Sequence, residues 1–161
     1  MMDIRIGNGY DVHALAPGLP MYLGGVKIPS EIGFVAHSDG DVAIHALCDA
    51  ILGALALGDI GHLFPDSDPA YRGIDSKKLL SHVIGLASKS GWKLGNADIT
   101  IALQAPKLAP HIDRMRKTLA FVIDCPEDRI SVKATTTERL GFVGRGEGCE
   151  VWASAILVKS E

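Results

Sequence analysis

Cysteine is scarce: Cys48, Cys125 and Cys149 are the only thiols, odd in number, widely spaced and without a CxxC pair. That argues against a disulfide framework and against a zinc-thiolate site, and the three read as small buried hydrophobes. Excess positive charge is missing too. Lys and Arg total 16 against 19 for Asp and Glu, a formal net charge of -3, so no sequence-wide basic field exists to hold a nucleic acid by its phosphates. A polyanionic small molecule would have to meet positive charge supplied locally. The longest apolar run, Val42 to Leu57, is broken by His45 and Asp49 and reads as a buried helix, not a membrane span. The start, Met1-Met2-Asp3-Ile4-Arg5, lacks the charged, apolar and small-residue zones of an export signal, so a cytoplasmic location is expected, with neither membrane nor nucleic acid as partner. Repeats and low-complexity linkers are absent as well. What remains is 161 residues, 47% of them hydrophobic, which suits one domain over residues 1–161.

Along the chain, Ile4, Ile6 and Gly7 to Val12 predict a strand, and its Gly7 and Gly9 point to a bulge or to the close approach of another group. Met21-Tyr22-Leu23 and Val26-Lys27-Ile28 flank Gly24-Gly25 as a hairpin. Ser38-Asp39-Gly40-Asp41 offers N-cap oxygens to a helix carrying Val42, Ile44, Leu47, Ile51, Leu52 and Leu55, expected to run until Gly58. A second helix, capped by Asp75 or Ser76, carries Leu79, Leu80, Val83, Ile84 and Leu86 and stops at Gly91. A strand at Ile99 to Leu103 follows, then a third helix opened by Pro110 and halted at Pro126, and strands at Ile130 to Ala134 and Val151 to Val158. This order predicts an α+β fold, a β-sheet with helices packed on one face. The connection from Gly58 to Asp75 is long for a compact domain and acidic. It reads either as a functional loop or as a disordered excursion.

Several residues could do chemistry. Asp11 and His13 are two apart, so on a strand both side chains leave the same face, a carboxylate and an imidazole aimed at one point. Such a pair is half of a metal site or a hydrogen-bonded surface couple. His45 lies inside the most apolar helix, one turn from Asp41 and one turn from Asp49, which makes a polar ridge. It is either satisfied by those aspartates or the third ligand of a site with two imidazoles, one carboxylate and an open tetrahedral position, as for catalytic zinc. His37 competes for that place. Lys133-Ala134-Thr135-Thr136-Thr137-Glu138 offers donors, hydroxyls and a carboxylate suited to a diphosphate and a second cation, although β-propensity alone explains three threonines. Phe142-Val143-Gly144-Arg145-Gly146-Glu147-Gly148 is a glycine-rich loop with an embedded guanidinium, suited to an anion or to a simple hairpin turn.

The run His37-Ser38-Asp39-Gly40-Asp41-Val42-Ala43-Ile44-His45-Ala46-Leu47-Cys48-Asp49-Ala50-Ile51-Leu52-Gly53-Ala54 strongly resembles the signature of the 2-C-methyl-D-erythritol 2,4-cyclodiphosphate synthase family. Gly7-x-Gly9-x-Asp11-Val12-His13, Leu57-Gly58-Asp59-Ile60-Gly61-His62-Leu63-Phe64-Pro65-Asp66, Gln104-Ala105-Pro106-Lys107 and Lys133 to Glu138 follow in the family's order and spacing. The similarity covers nearly the whole chain. Cys149-Glu150-Val151-Trp152 departs from the family's usual residues.

The resemblance implies a phosphorus-oxygen lyase of non-mevalonate isoprenoid biosynthesis. The 2-phosphate of 4-diphosphocytidyl-2-C-methyl-D-erythritol 2-phosphate attacks the β-phosphorus of the same molecule and expels CMP. By matching positions, it implies that Asp11, His13 and His45 hold zinc beside the substrate and that Glu138 helps to hold magnesium or manganese. His37 and Thr136 would steady the transition state, with Ser38 beside His37. Asp59, Ile60, Gly61, Phe64, Pro65, Asp66, Ser67 and Asp68 would line the methylerythritol pocket. Leu103, Gln104, Ala105, Pro106, Lys107, Leu108 and Ala109, with Ala134, Thr135 and Thr136, would form the cytidine slot, and Thr137, Phe142 and Arg145 would complete the binding positions. The resemblance also implies a homotrimer whose sheets face the threefold axis, with active sites between subunits and Arg145 facing an axial cavity for a prenyl diphosphate. Two other readings stay open at this point: a zinc-dependent phosphohydrolase acting through a metal-bound water on a cytidine diphosphate ester, and a non-catalytic sensor of prenyl diphosphates.

Overall fold

The computed structural model describes residues 3–160; Met1 and Met2, which opened the expected N-terminal reading, and Glu161 lie outside the described residues. In chain order the elements are β1 (Ile4–Pro17), β2 (Met21–Leu23), β3 (Val26–Ile28), β4 (Ile32–Val35), α1 (Val42–Ala54), α2 (Ile60–Leu63), α3 (Ser76–Lys89), β5 (Trp92–Ala102), α4 (Ile112–Ile123), β6 (Ile130–Thr135), α5 (Gly141–Gly144) and β7 (Gly148–Lys159). Five strands form one curled mixed sheet in the order β4-β1-β7-β5-β6, and β2 pairs with β3 as a separate hairpin. All neighbours in the large sheet are antiparallel except β5 and β6, which run parallel with α4 in the crossover between them, as a parallel connection requires. No helix among the described residues is long and apolar enough to cross a membrane.

The predicted order of major elements holds, and the departures have local causes. The first helix ends at Ala54, before Gly58: Ala56 takes φ 57°, its N–H donates to the Gly53 carbonyl at 3.0 Å and that of Leu57 to the Leu52 carbonyl at 2.9 Å. This is the glycine-type helix ending carried by an alanine. The connection after Gly58 is ordered by its own aspartates. Asp59 caps α2 by accepting from the His62 N–H, and Asp68 caps a 3-10 turn over Pro69–Tyr71 by accepting from the Ala70 N–H. The short strand β4 was not expected; it is recruited by the far end of β1, pairing Ala14 with Val35 through Pro17 with Ile32. β5 begins at Trp92, earlier than its alternation suggests, because a bulge between Leu94 and Asn96 breaks the pattern. The glycine-rich segment begins inside α5, turns at Arg145 to Glu147 and enters β7 at Gly148.

Gly7 and Gly9 are not at a bulge, since β1 pairs with β7 without interruption from Ile4–Val158 to Ala14–Gly148. They mark the close approach of α1. A Cβ on Gly7 would lie 1.8 Å from the Ala50 carbonyl oxygen, and one on Gly9 would lie 1.8 Å from that of Ala46. Small residues on both partners let helix backbone rest on strand backbone. Because side chains alternate along a strand, Asp11 and His13 continue the Gly7–Gly9 file on the same face. The sequence therefore lays α1 along this file and carries His45 to its polar end. Behind it, Val151, Ala153, Ala155 and Leu157 of β7 bury against the helix layer. The opposite sheet face stays open, with Ile6 67% and Trp152 45% exposed alongside Ile4, Tyr10 and Val12.

Candidate active site

Asp11, His13 and His45 each offer a ligand atom, and these atoms all lie within 4.8 Å of one another. The Asp11 Oδ2 atom is 3.0 Å from His13 Nε2 and 3.2 Å from His45 Nδ1, and the two ring nitrogens are 3.4 Å apart. Each ring's remote nitrogen is also occupied. His13 Nδ1 donates to the Gly40 carbonyl at 3.0 Å, and His45 Nε2 lies 3.0 Å from Ser76 Oγ and 3.3 Å from Ser38 Oγ. Two imidazoles and one carboxylate with their far sides tied are the donor set and outer support of a borderline divalent cation such as zinc. The trio comes from two elements only, with β1 supplying Asp11 and His13 and α1 supplying His45.

Burial opposes charge at this point, yet the pair of imidazoles wins at Asp11. Desolvation pushes that carboxyl upward, while hydrogen bonds and charge from His13 and His45 pull it well below the ordinary carboxylate range. His13 is driven up by Asp11 against the opposing effect of its own burial. The aspartates flanking His45 on its helix do not satisfy it. Asp41, fully buried, accepts from the N–H groups of Gly24 at 3.0 Å, Gly25 at 2.7 Å and Ile44 at 3.0 Å, so it caps α1 and ties down the β2–β3 turn. Asp49 accepts from the Ile60 N–H at 2.8 Å; burial first, then Asp59 and Asp11, raise its carboxyl.

A cavity of about 470 Å³ opens onto the trio. His37, Ser38, Asp59, Ile60, Gly61, Phe64 and Asp66 line it. His37 does not replace His45 in the trio; its Nε2 is buried without a hydrogen-bond partner, a group that calls for one. Pro65, Ser67 and Asp68 do not line this cavity, and Asp68 is engaged as the cap of the 3-10 turn. Val35, Tyr71, Ile74 and Leu79 do line it and were not foreseen, since apolar side chains carry no chemical signature in a sequence. Phe64 meets Tyr71 and His82 edge-on, with ring centroids 5.3 Å and 5.2 Å apart.

A second recess, about 270 Å³, gathers Leu103, Gln104, Pro106, Lys107, Leu108 and Ala109 with Ala134, Thr135 and Thr136. Ala105 does not line it and joins Pro106 through a cis peptide bond. The two recesses share no residue. Glu138, exposed at φ 53°, lines neither; its N–H donates to Thr136 Oγ1 at 3.3 Å. Thr137 spends its hydroxyl on the Leu140 carbonyl at 2.7 Å. Phe142 packs beside Gly148 at the start of β7, and Arg145 pairs with Glu147 at 2.8 Å. A wider groove, about 950 Å³, lies away from both recesses between α3 and α4.

The sequence profile of the YgbB family matches residues 4–158. The chain belongs to this family. A curated member from Azotobacter vinelandii, named 2-C-methyl-D-erythritol 2,4-cyclodiphosphate synthase, is 57% identical over 155 residues, covering 96% of this chain and 99% of the relative. Among solved structures, the bifunctional IspDF of Campylobacter jejuni superposes with a TM-score of 0.96 at 45% identity, covering 100% of this chain and 44% of that one. IspF of Plasmodium falciparum, solved as a CDP complex, gives 0.86 at 36% identity over 98% of this chain and 97% of its own. The family's architecture is the mixed α+β fold found here, with its curled sheet and helices.

Proposed function

We infer that this enzyme converts 4-diphosphocytidyl-2-C-methyl-D-erythritol 2-phosphate into 2-C-methyl-D-erythritol 2,4-cyclodiphosphate with release of CMP. One observation carries the reading: a chain of the YgbB family, whose relatives bear the name of that synthase, brings Asp11, His13 and His45 together in the lining of one cavity. The 2-phosphate oxygen forms a bond to the β-phosphorus, and the bond from that phosphorus to the bridging oxygen breaks, its electrons leaving with CMP. The nucleophile is already anionic, so no general base is needed and Ser38, although it stands 3.3 Å from His45 Nε2 in the cavity, has no nucleophilic task.

Asp11, His13 and His45 would hold zinc, whose preferred donors they are, and Glu138 would help to hold magnesium or manganese through its carboxylate oxygens. When bound, such cations supply the positive charge that lets two phosphate groups approach, which a chain of net charge -3 does not otherwise provide. The chain's own groups do the rest. His37, through its unpaired Nε2, and Ser38 donate toward charge gathering on the reacting phosphate, and Thr136 does so from the second recess. Asp59 accepts from the methylerythritol hydroxyls, while Ile60, Gly61 and the turn from Phe64 to Asp68 shape the pocket around the sugar alcohol. Asp49 holds the Ile60 backbone in place. The recess of Leu103 to Ala109 with Ala134 to Thr136 receives the cytidine, and Thr137, Phe142 and Arg145 complete the binding surface. Holding one molecule curled at both ends supplies the in-line geometry of ring closure.

The working unit is a homotrimer with the open sheet faces toward the threefold axis. The exposed apolar row of Ile4, Ile6, Tyr10, Val12 and Trp152 supports this, as does the separation of the two recesses within one chain. A neighbour's cytidine recess can then complete a metal cavity, and Arg145 is the cation offered to a prenyl diphosphate on the axis. The setting is cytoplasmic, and one catalytic domain spans the chain.

Turnover in water enriched with heavy oxygen tests the chemistry. CMP and the cyclic diphosphate free of solvent oxygen are expected. Labelled methylerythritol phosphates would overturn the cyclisation and restore the zinc-dependent phosphohydrolase, which the names of the relatives do not favour.

A further inference from the structure

Among the described residues, three polar ones are buried: Asp41, His45 and Ser76. Asp41 is accounted for by three backbone N–H groups, and His45 by the metal centre. Ser76 has no such account. It is the first residue of α3 and could have capped that helix, but Asp75 does so by accepting from the Lys77 N–H at 2.9 Å. The Ser76 side chain is thereby free to turn inward. Its hydroxyl donates to Asp39 Oδ1 at 2.5 Å, while its N–H donates to Asp39 Oδ2 at 2.9 Å. Asp39 is itself fixed, accepting from the Asp41 N–H at 3.1 Å and donating its own N–H to the Ile74 carbonyl at 3.1 Å.

This arrangement has a direction. A serine hydroxyl has one proton, and here it is committed to the Asp39 carboxylate. What Ser76 Oγ presents to His45 Nε2, 3.0 Å away, is therefore a lone pair, which the ring can meet only with an N–H. An N–H is thereby held at Nε2, which leaves Nδ1, facing Asp11 and His13, as the nitrogen for ligation. We propose that Ser76, oriented by Asp39, is a positioning residue of the metal centre that fixes His45 in the tautomer and ring orientation needed for ligation through Nδ1. The inference rests on reading Asp11, His13 and His45 as the metal site. The hydroxyl of Ser38, at 3.3 Å from the same nitrogen, is the weaker acceptor. It already accepts from the Gly40 N–H, and it comes from the loop before α1, whereas Ser76 is anchored in a helix. The consequence is that metal affinity is tied to the docking of α3, an element that contributes no ligand.

The test is a chelator-competition titration with Zn2+ alone on the full chain and on Ser76→Ala, Ser76→Thr and Asp39→Asn. Loss of an outer-shell partner of this kind lowers affinity by about 10–100-fold, and that drop is expected for Ser76→Ala. Asp39→Asn should move in the same direction, and Ser76→Thr, which keeps the hydroxyl, should restore tight binding. Unchanged zinc affinity in Ser76→Ala, beside tight binding by the unaltered chain, would overturn the inference and leave the metal reading intact. So would a Ser38→Ala variant that loses affinity while Ser76→Ala does not. Failure of the unaltered chain to bind zinc at all would strike the metal reading itself. Should Ser76→Ala fail to fold, long-range 1H–15N spectra of the zinc-loaded unaltered protein decide: a proton on His45 Nε2 protected from exchange is expected, and an unprotected one overturns the proposal.

Discussion

The two faces of β1 are built to opposite rules from alternate residues of one segment. On the inner face, Gly7 and Gly9 reduce the strand to bare backbone so that α1 can touch it, and Asp11 and His13 then fill the space where the helix offers His45. On the outer face, Ile4, Ile6, Tyr10 and Val12 stand in the open, with Tyr10 resting 5.6 Å from the Trp152 ring and donating its hydroxyl to Glu150 at 2.8 Å. The inner face is intolerant of volume because both partners are main chain and neither can move aside. The outer face tolerates change within the single chain and is sensitive only where another surface covers it. The candidate metal ligands thus sit on the rigid side, and the open side is the one proposed for association.

The contrast is sharpened most by adding one methyl group to each side of the helix contact. Gly9→Ala is expected to cost about 3 kcal/mol or more, since overpacking costs of that order even where side chains can yield and here the new Cβ meets a carbonyl 1.8 Å away. Denaturant unfolding should show the loss, with zinc affinity falling in parallel as His45 shifts. Gly53→Ala, on the same helix but with nothing nearer than the Asn8 carbonyl at 3.8 Å, should instead stabilise by up to about 1 kcal/mol through helix propensity. If both variants behave alike, the glycine file is not what seats the helix.

The outer face is probed by Ile6→Glu. Ile6 is 67% exposed in the single chain, so far-UV dichroism should be retained. Each subunit interface should lose on the order of 1.5–3 kcal/mol of apolar burial, with a charge left to desolvate. With the proposed trimer, sedimentation should show the variant as smaller species than the unaltered chain at equal concentration; equal sizes would remove this face from the proposed interface.

The smallest effect concerns carboxylates. Asp98, on the outer face of β5, is held below its ordinary value first by the hydrogen bond from the Lys133 ammonium. Its folded value being the lower one, the stability it contributes is present above the unfolded value and fades as the pH falls below about 4. The pair is exposed, so Lys133→Met should cost no more than about 1 kcal/mol at neutral pH. The difference from the unaltered chain should vanish in acid, and a difference that grows in acid would contradict the sign.

Much of this was legible because it depends on local spacing. Asp11 and His13 share a face by the two-residue period of a strand, and the capping aspartates Asp41 and Asp75 announced where α1 and α3 begin. Gly7 and Gly9 announced either a bulge or a close approach, and the uninterrupted pairing of β1 with β7 and the nearness of α1 decided for the approach. Between a metal ligand and a histidine satisfied by its helix neighbours, the spacing around His45 could not choose; the fold did, by turning Asp41 to the β2–β3 turn and Asp49 to Ile60. Ser76 was indistinguishable from a helix cap until Asp75 took that task.

The sequence by itself determined the major elements, the glycines at positions 7 and 9 and the types of donor available, since propensity, alternation and capping act over a few neighbouring residues. Only the tertiary structure decided that ligands separated along the chain meet, which nitrogen of each imidazole faces inward, and that a serine from α3 stands behind His45. Those outcomes depend on the packing of surfaces far apart in sequence, where a shift of an ångström makes or breaks a hydrogen bond.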